Sequence, residues 1–469
     1  MSHQTTKHAA WAHRLARLAV AAGLLAGAGC SPTDVLDISD PDIINPGDVQ
    51  SAAGADAVRN GALARFNEAT SGGAIGSESL FAYGGLFADE WINGDSFVAR
   101  WEIDRREISV DNNQLVLTNR ILHRTRMAAA QAVDLLGEFA PEAPAWQVAE
   151  MHMVQAYVTN LLAEHYCDGL VFSELVDGTE QYGAPITTDS AYKRALTHVD
   201  AGLALTLGAT ANDTRVLNAL RLTRGRILMN LGRPVEAAAA VTAVPTSFAY
   251  TMFHSQTTNQ NQFWALNNNS RRYSVANNEG GNGLNFASAN DPRVPICAGG
   301  STPCRAIGAT NTTRDDLGTP FNVQMIWGAR DASVRIMQGV DARMIEAEAA
   351  IHPANPARNP AAALAILNAA RTTVTGLAPL TLAATPAAQV DQLFRERAFW
   401  QFSRGYRTGD LRRLIRQYGR TAETVFPTGA WHKSGNYGTD VNMPIPFHET
   451  NNPNVQQSET GSTCMNRNP

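Results

Sequence analysis

The sequence predicts an all-α protein in which two long loop-rich excursions interrupt one continuous helical framework. Three observations carry that expectation. Apolar residues recur at three- and four-residue spacing over several long segments, the period of a helix with one buried face. Glycine and proline punctuate those segments where helices end and restart. Over about 70–112 and 245–335 the helical pattern vanishes, and Gly, Asn, Thr and aromatic residues take over.

The chain has 469 residues and a net charge of -5, with 44% hydrophobic, 17% charged and 7% aromatic residues. That length can bury a large core, divided among two or three domains or held in one. Mild acidity argues against a nucleic-acid binder, which needs a concentrated basic face. Beyond the N-terminus no apolar run approaches the roughly 20 residues of a membrane span.

The elements follow in order. Lys7, Arg14 and Arg17 precede a short apolar core, Leu18 to Leu25, and Gly27-Ala28-Gly29 lead to Cys30. This reads as a secretory signal over residues 1–29, too short to span, with Cys30 as the lipidated first residue of the mature chain. Gly27 stands where such signals usually carry Leu, and the alternative is an ordinary signal with a chance cysteine. Residues 30–47 (SPTDVLDISDPDIINPG after Cys30) are too poor in apolar content to fold alone and read as a tether. One binding domain is expected over 48–469.

A helix is expected from an N-cap at Asp48 to about Glu68. After the first excursion, helical patterns cover Gln114 to Phe139 and the segment holding Met151, Val154, Val158, Leu161 and Leu162. In VLNALRLTRGRILMNLGRPVEAAAAV, Val216, Leu220, Ile227 and Leu231 share a face. Gly232 suits a left-handed helix end and Pro234 the first turn of the next helix, the pattern of a tetratricopeptide-type hairpin. Three or four such pairs are expected. Helices resume with ARMIEAEAAI, AAALAILNAARTTV and VDQLFRERAFWQFSRGYRTGDLRRLIRQYG, and the tail from Thr421 is loop-rich again.

Export permits disulfides. Cys297 and Cys304 close the small loop CAGGSTPC and are the favoured pair, which leaves Cys167 with Cys464 as the other option. No cysteine or histidine recurs at zinc spacing, so no metal is expected. Asp89, Glu90 and Asp95 in FADEWINGD could serve a hydrolase that uses paired carboxylates. No G-x-S-x-G, H-E-x-x-H or phosphate loop occurs, and no cofactor is expected. Asp111-Asn112-Asn113 could contribute to a calcium site but lacks the rest of an EF-hand. Glu346 and Glu348 point to different helix faces, and two roles are open: one carboxylate inward against an arginine such as Arg371 or Arg395, or a surface role. The run Arg404, Arg407, Arg412, Arg413 and Arg416 could form a phosphate site, but its interleaving with Asp410 and Leu414 favours salt bridges and a solvated face.

The excursion aromatics carry the binding argument: Trp91, Phe97 and Trp101, then Phe263, Trp264, Tyr273 and Phe286, then Trp327. A sugar ring offers an apolar C–H face and a hydroxyl edge, which flat aromatics beside amides and arginines match. Trp91, Asn93, Trp264, Asn268, Arg272 and Tyr273 are therefore the ligand-binding candidates. The competing fate for each aromatic is to anchor its loop on the helical core.

Several stretches together resemble the SusD/RagB-like outer-membrane nutrient-binding lipoproteins, over essentially the whole mature chain. They are the lipoprotein start, Asp89-Glu90-Trp91, Asn119-Arg120, MIEAEA (Met344 to Ala349) and ALAILNAAR (Ala363 to Arg371). Most specific are RERAFWQFSRGYRTGDLRR (Arg395 to Arg413) and the closing MPIPFHETNNPN (Met443 to Asn454). Arg404 stands where the family usually has Glu, and Thr408-Gly409 replace an aromatic pair. The resemblance implies tetratricopeptide-like helix pairs in a right-handed superhelical framework with the excursions packed on one side. It also implies a non-catalytic protein, lipid-anchored through Cys30 at the outer-membrane surface, acting as lid over a SusC-like, TonB-dependent β-barrel transporter. There it would capture oligosaccharides, or peptides, for import. A glycoside hydrolase using the loop carboxylates and a tetratricopeptide-type protein scaffold are the readings from other classes.

Overall fold

The computed structural model describes residues 49–73, 79–176, 179–309, 312–316, 318–456 and 464–469. The chain divides into Met1–Gln50 and one compact unit, Ser51–Pro469. The lipidation candidate Cys30, the tether and Asp48 lie outside the described residues, and Ser51 is the residue that caps the first helix. Its side chain accepts from the Gly54 amide at 3.0 Å, satisfying one of the open donors at the start of α1 (Ala52–Thr70).

The first excursion contains two helices that periodicity does not reveal, α2 (Leu80–Phe87) and α3 (Val98–Asp104). Every residue of α2 is buried, so LFAYGGLF has no polar face to mark its period. Asn112 caps α4 (Asn113–Phe139), its side chain accepting from the Gln114 and Leu115 amides at 3.1 Å each. That capping role accounts for the Asp-Asn-Asn run without calcium.

The framework continues through α5 (Ala145–His165), α6 (Thr188–Ala204), α7 (Ala211–Asn230) and α8 (Pro234–Val241). Consecutive helices pack on one another: α4 on α5, α5 on α6, α6 on α7, α7 on α8. The turn after α7 is a Schellman motif. Gly232 sits at φ +69, its amide donates to Met229 O and the Arg233 amide reaches back to Leu228 O, while Pro234 opens α8. After the second excursion, which includes short α9 (Thr302–Ala306), come α10 (Gly339–Ile351), α11 (Pro360–Arg371), α12 (Pro386–Trp400), α13 (Arg407–Tyr418) and α14 (Ala422–Val425). Helix α10 packs on α8, α11 and α12, which closes the series. The fold is all-α, built of tetratricopeptide-like helix pairs.

The arginine run corrects the expectation of a solvated face. Arg404, Arg407, Arg412 and Arg413 are all buried. Arg404 makes a two-pronged pair with Asp341, at 2.6 and 2.7 Å. Glu348 is the inward carboxylate of MIEAEA, and its partners are Arg413 and Arg397 rather than Arg371 or Arg395.

Two-stranded antiparallel pairs tie the excursions to each other. Gly72–Gly73 pairs with Gln260–Asn261, and Trp91–Asn93 with Tyr273–Val275. Within the second excursion Ile296–Ala298 pairs with Asn322–Gln324. Disulfides join Cys167 to Cys464 and Cys297 to Cys304, with Cα atoms 5.8 and 5.7 Å apart respectively. The shorter-range bridge sits in a small separate core with Ala309, Phe321 and Val323. By loop-closure entropy its removal should cost about 2 kcal/mol. Cys297→Ser/Cys304→Ser protein is therefore expected to show faster amide exchange over Asn322–Gln324 than over α5. Equal exchange at both would refute the local role of the bridge.

Candidate functional site

The strand pair Trp91–Asn93 with Tyr273–Val275 is the floor from which the loop face is built. Both strands are buried throughout. The backbone then turns outward: the Gly94 amide donates to Arg272 O at 2.7 Å, and the Asp316 amide donates to Gly94 O at 3.1 Å. The segment after α14 closes over them, because Lys433 Nζ reaches Asn93 Oδ1 at 2.7 Å. Four separate loops thus meet at Asn93 and Gly94.

An open cleft of about 360 Å³ lies in this junction. Ile92, Val275 and Pro320 form apolar walls, and Asn277, Asn278, Glu279, Asn322 and His432 supply the polar groups. His432 is wedged between two carboxylates, with Nε2 3.7 Å from Asp104 Oδ2 and Nδ1 3.5 Å from Glu279 Oε1. Nε2 also lies 3.0 Å from Asn93 O. Burial alone would lower the imidazole, but Asp104 and Glu279 outweigh it and raise it to about 9. Burial pushes the Asp104 carboxyl up as well, although it accepts from Trp431 Nε1 and from the Asn93 amide. Tyr437 donates to Glu279. The cleft therefore presents an imidazolium at near-neutral pH, beside the Glu279 carboxyl and several amides.

Beside the cleft is an aromatic shelf. Phe97 is 49% exposed, with the Arg100 guanidinium 4.9 Å from its ring centre. Trp101 is half-buried, edge-on to Trp431 at 5.9 Å and capped by Lys433 Nζ at 4.8 Å. Arg272 stands at its rim, 45% exposed and 4.0 Å from Asp95.

The structure separates the six sequence candidates. Trp91 and Tyr273 are not stacking platforms, since both are fully buried. The Trp91 ring lies parallel to Phe263 at 6.4 Å and packs on Phe402 at 5.2 Å, while its Nε1 donates to Ser403 Oγ at 2.8 Å. Tyr273 packs on the same indole. Asn93 and Asn268 are also buried and act as backbone braces: Asn93 Oδ1 takes the Asp95 amide, and Asn268 Nδ2 donates to Gln324 O. Trp264 is half-buried and opens a π-helical turn, Trp264–Asn269. Only Arg272 of the six stands at the loop-face surface, beside the cleft.

Glu279, Asn277, Asn278, Asn322 and His432 line the cleft and stand outside the sequence candidates. The Asn/Gly run NNEGGNG was the available signal for the first three, because short polar side chains among glycines leave backbone and amides open to a ligand.

The hydrolase carboxylates are committed to packing. Asp89 is fully buried and clamped by Arg407 at 2.5 and 2.7 Å. Glu90 is buried, accepts the Ser403 amide at 2.8 Å, and is pushed by burial to about 8. Asp95 pairs with Arg100 at 2.6 Å.

No protein-family model matches the sequence, and comparison with curated proteins finds no match. Solved structures do match. A SusD superfamily protein from Bacteroides fragilis is 14% identical, with 87% of this chain and 99% of that one covered and a TM-score of 0.61. Surface glycan-binding protein A from Bacteroides fluxus is 14% identical, covering 91% and 100%, at 0.62. A SusD-like carbohydrate-binding protein from Bacteroides vulgatus is 11% identical, covering 77% and 83%, at 0.54. From its helix pairs to its looped excursions, the chain has the fold of the SusD superfamily.

Proposed function

We propose that this protein is a non-catalytic, cell-surface carbohydrate binder that serves as the lid subunit of a SusC-like, TonB-dependent importer. Cys30 would anchor it to the outer membrane, and residues 30–47 would provide the slack for opening and closing. Tethering keeps a captured ligand at high effective concentration over the pore. The observation that carries this reading is the loop-face cleft on a SusD-like framework, since a similar framework belongs to a surface glycan-binding protein. The cleft's imidazolium, carboxyl and amides suit the mixed donors and acceptors of sugar hydroxyls. Phe97 and Trp101 supply the flat surface that Trp91 and Tyr273 do not.

The burial of Trp91 and Tyr273 favours one second reading, capture of peptides in the same cleft, because the amides serve a peptide backbone equally well. A glycan and peptide binding screen on the chain from Ser31 onward separates the two. Glycan binding is expected, and His432→Ala should weaken it about tenfold or more by removing a charge-assisted hydrogen bond. The pH profile has a definite sign. Folded His432 titrates near 9, above the unfolded value of about 6.5. Its contribution to stability is complete below about pH 6.5 and is lost as pH rises through 9, and the charge it offers a ligand is lost only as pH rises through 9. Peptide binding without glycan binding would overturn the carbohydrate reading, and turnover of a bound glycan would overturn the non-catalytic one.

A further inference from the structure

We infer that the chain carries a second binding site, for a compact carboxylate with an apolar body, where α12, α13 and α14 meet the second excursion. It is a cleft of about 290 Å³. It shares no lining residue with the loop-face cleft, and nothing in it depends on what that cleft takes.

Helical spacing builds it. Arg407, Leu411 and Leu414 stand at i, i+4 and i+7 on α13, and Asp391, Phe394 and Arg395 at i, i+3 and i+4 on α12; all six line the cleft. Val425 adds a wall from α14. Phe394, Leu411, Leu414 and Val425 are buried, so the lining is apolar beneath its charged groups. Asn282 fixes the loop side, its Nδ2 donating to Phe426 O at 2.8 Å and its Oδ1 accepting the Thr428 amide at 3.3 Å.

The charges do not balance. Arg395, Arg407 and Arg420 line the cleft against one carboxylate, Asp391. Arg420 is matched by Asp391 at 2.7 Å. Arg407 gives Nε and Nη2 to Asp89, which stands behind the lining, at 2.5 and 2.7 Å; its Nη1 lies outside that pair. Arg395 is exposed and has no ion pair among the described residues; its guanidinium carbon lies 4.8 Å from the Phe399 ring centre. Asp291 and Glu396 act on it, but Arg293 and Arg371 already hold them, two cations on two carboxylates. Partial burial lowers the Arg395 guanidinium, Asp291 and Glu396 restore some of the loss, and Arg293 and Arg407 push it down again. An anion in the cleft relieves that repulsion. A chain of net charge -5 thus keeps one surplus cation beside an apolar pocket.

The surplus and the floor together set the ligand class. One unmatched positive charge suits a monoanion, and a guanidinium fork matches the two oxygens of a carboxylate. A hydrated inorganic dianion gains nothing from Leu411, Leu414 and Val425, whereas a carboxylate on a ring or a short alkyl chain uses both features. Two sources share that chemistry: a uronate unit of an acidic glycan and a free aliphatic acid.

The test is calorimetric titration of the full mature chain with sodium glucuronate and sodium hexanoate, with glucose and sodium sulfate as controls at fixed ionic strength. At least one carboxylate should bind, and neither control should compete. Arg395→Gln should weaken that binding about tenfold or more by removing a charge-assisted hydrogen bond, and Arg395→Lys should recover part of it. Asp391→Asn should tighten it about twofold or more, the scale of one exposed charge pair; a merely damaged fold cannot produce that gain. Both positions are exposed, so folding is retained. Glucuronate without hexanoate assigns the site to an acidic glycan, and hexanoate without glucuronate assigns it to a free acid; each supports the cleft. Failure of both carboxylates to bind, or equal binding by wild type and Arg395→Gln, overturns it. Sulfate binding as tight as carboxylate binding overturns the ligand class. Binding of neutral glycans at the loop face, read separately, should be unchanged in Arg395→Gln, so loss of this site leaves the proposed function standing.

Discussion

Asp410→Ala should destabilise the protein by about 3–5 kcal/mol, because it leaves a buried cation without its counter-charge. Asp410 receives Arg397 at 2.8 Å through two nitrogens and Arg413 at 2.7 Å. Arg413 in turn holds Glu348 at 3.0 and 2.9 Å, and Arg397 lies 3.1 Å from the same carboxylate. None of the four side chains is more than 2% exposed. Two carboxylates and two guanidiniums therefore balance in a region from which water is excluded. Removing either carboxylate leaves an excess positive charge where bulk screening does not reach.

Acid should have the same effect in graded form. Burial alone would raise Asp410, but Arg397 and Arg413 outweigh it and hold the carboxyl at about 2. A folded value below the unfolded one contributes stability that is complete above about pH 4 and is lost as pH falls toward 2. Urea midpoints across that range, for wild type and Asp410→Ala, should converge at the acid end. A loss below about 1 kcal/mol at neutral pH would mean that the network is hydrated and behaves like a surface pair.

Helices α4 and α6 are legible because each shows a polar face and an apolar face in the right period, whereas α5, buried on nearly all sides from Ala149 to His165, is marked by its length and apolar content. Gly232 and Pro234 marked a helix boundary by local chemistry alone. The burial of the arginine run has no local signature, for a physical reason. A charged run is normally solvated, and what makes burial tolerable here is a set of partners distant in sequence: Asp89 for Arg407, Asp341 for Arg404, Glu348 for Arg413. Local pattern carries no information about such partners. The aromatic candidates failed similarly. Trp91 and Tyr273 sit on short strands buried on both faces, so no alternation distinguishes inward from outward. His432 had no motif at all, since it matters through what Asp104 and Glu279 bring beside it. Two of the stretches that carry the family resemblance, Asp89-Glu90-Trp91 and Arg395 to Arg413, are nevertheless halves of one joint.

That joint leads to the second large effect: Arg407→Ala should cost about 3–5 kcal/mol and abolish ligand binding at the loop face, although Arg407 does not line that cleft. Asp89 takes both prongs of Arg407 and the Leu284 amide, at 2.8 Å. Glu90 takes the Ser403 amide, and Trp91 donates to Ser403 Oγ. The Glu90 carbonyl receives the Ala276 amide. The first excursion, the second excursion and the turn between α12 and α13 are therefore bolted together at Asp89-Glu90-Trp91. The turn fits closely: at Gly405, φ +72, a Cβ would fall 2.3 Å from the Phe81 ring. Loss of the Arg407 clamp leaves Asp89 buried and unpaired beside Glu90, and relief comes most readily by releasing the loops. Arg407→Lys should restore only part of the loss, because an ammonium cannot reproduce the two-pronged geometry. Amide exchange separates this outcome from general unfolding. Strands Trp91–Asn93 and Tyr273–Val275 should lose protection while the interior of α4 keeps it, and binding should fall with the strands. Protection lost equally in both regions would make the joint a feature of global stability, whereas binding retained after the strands open would detach the loop face from the ligand.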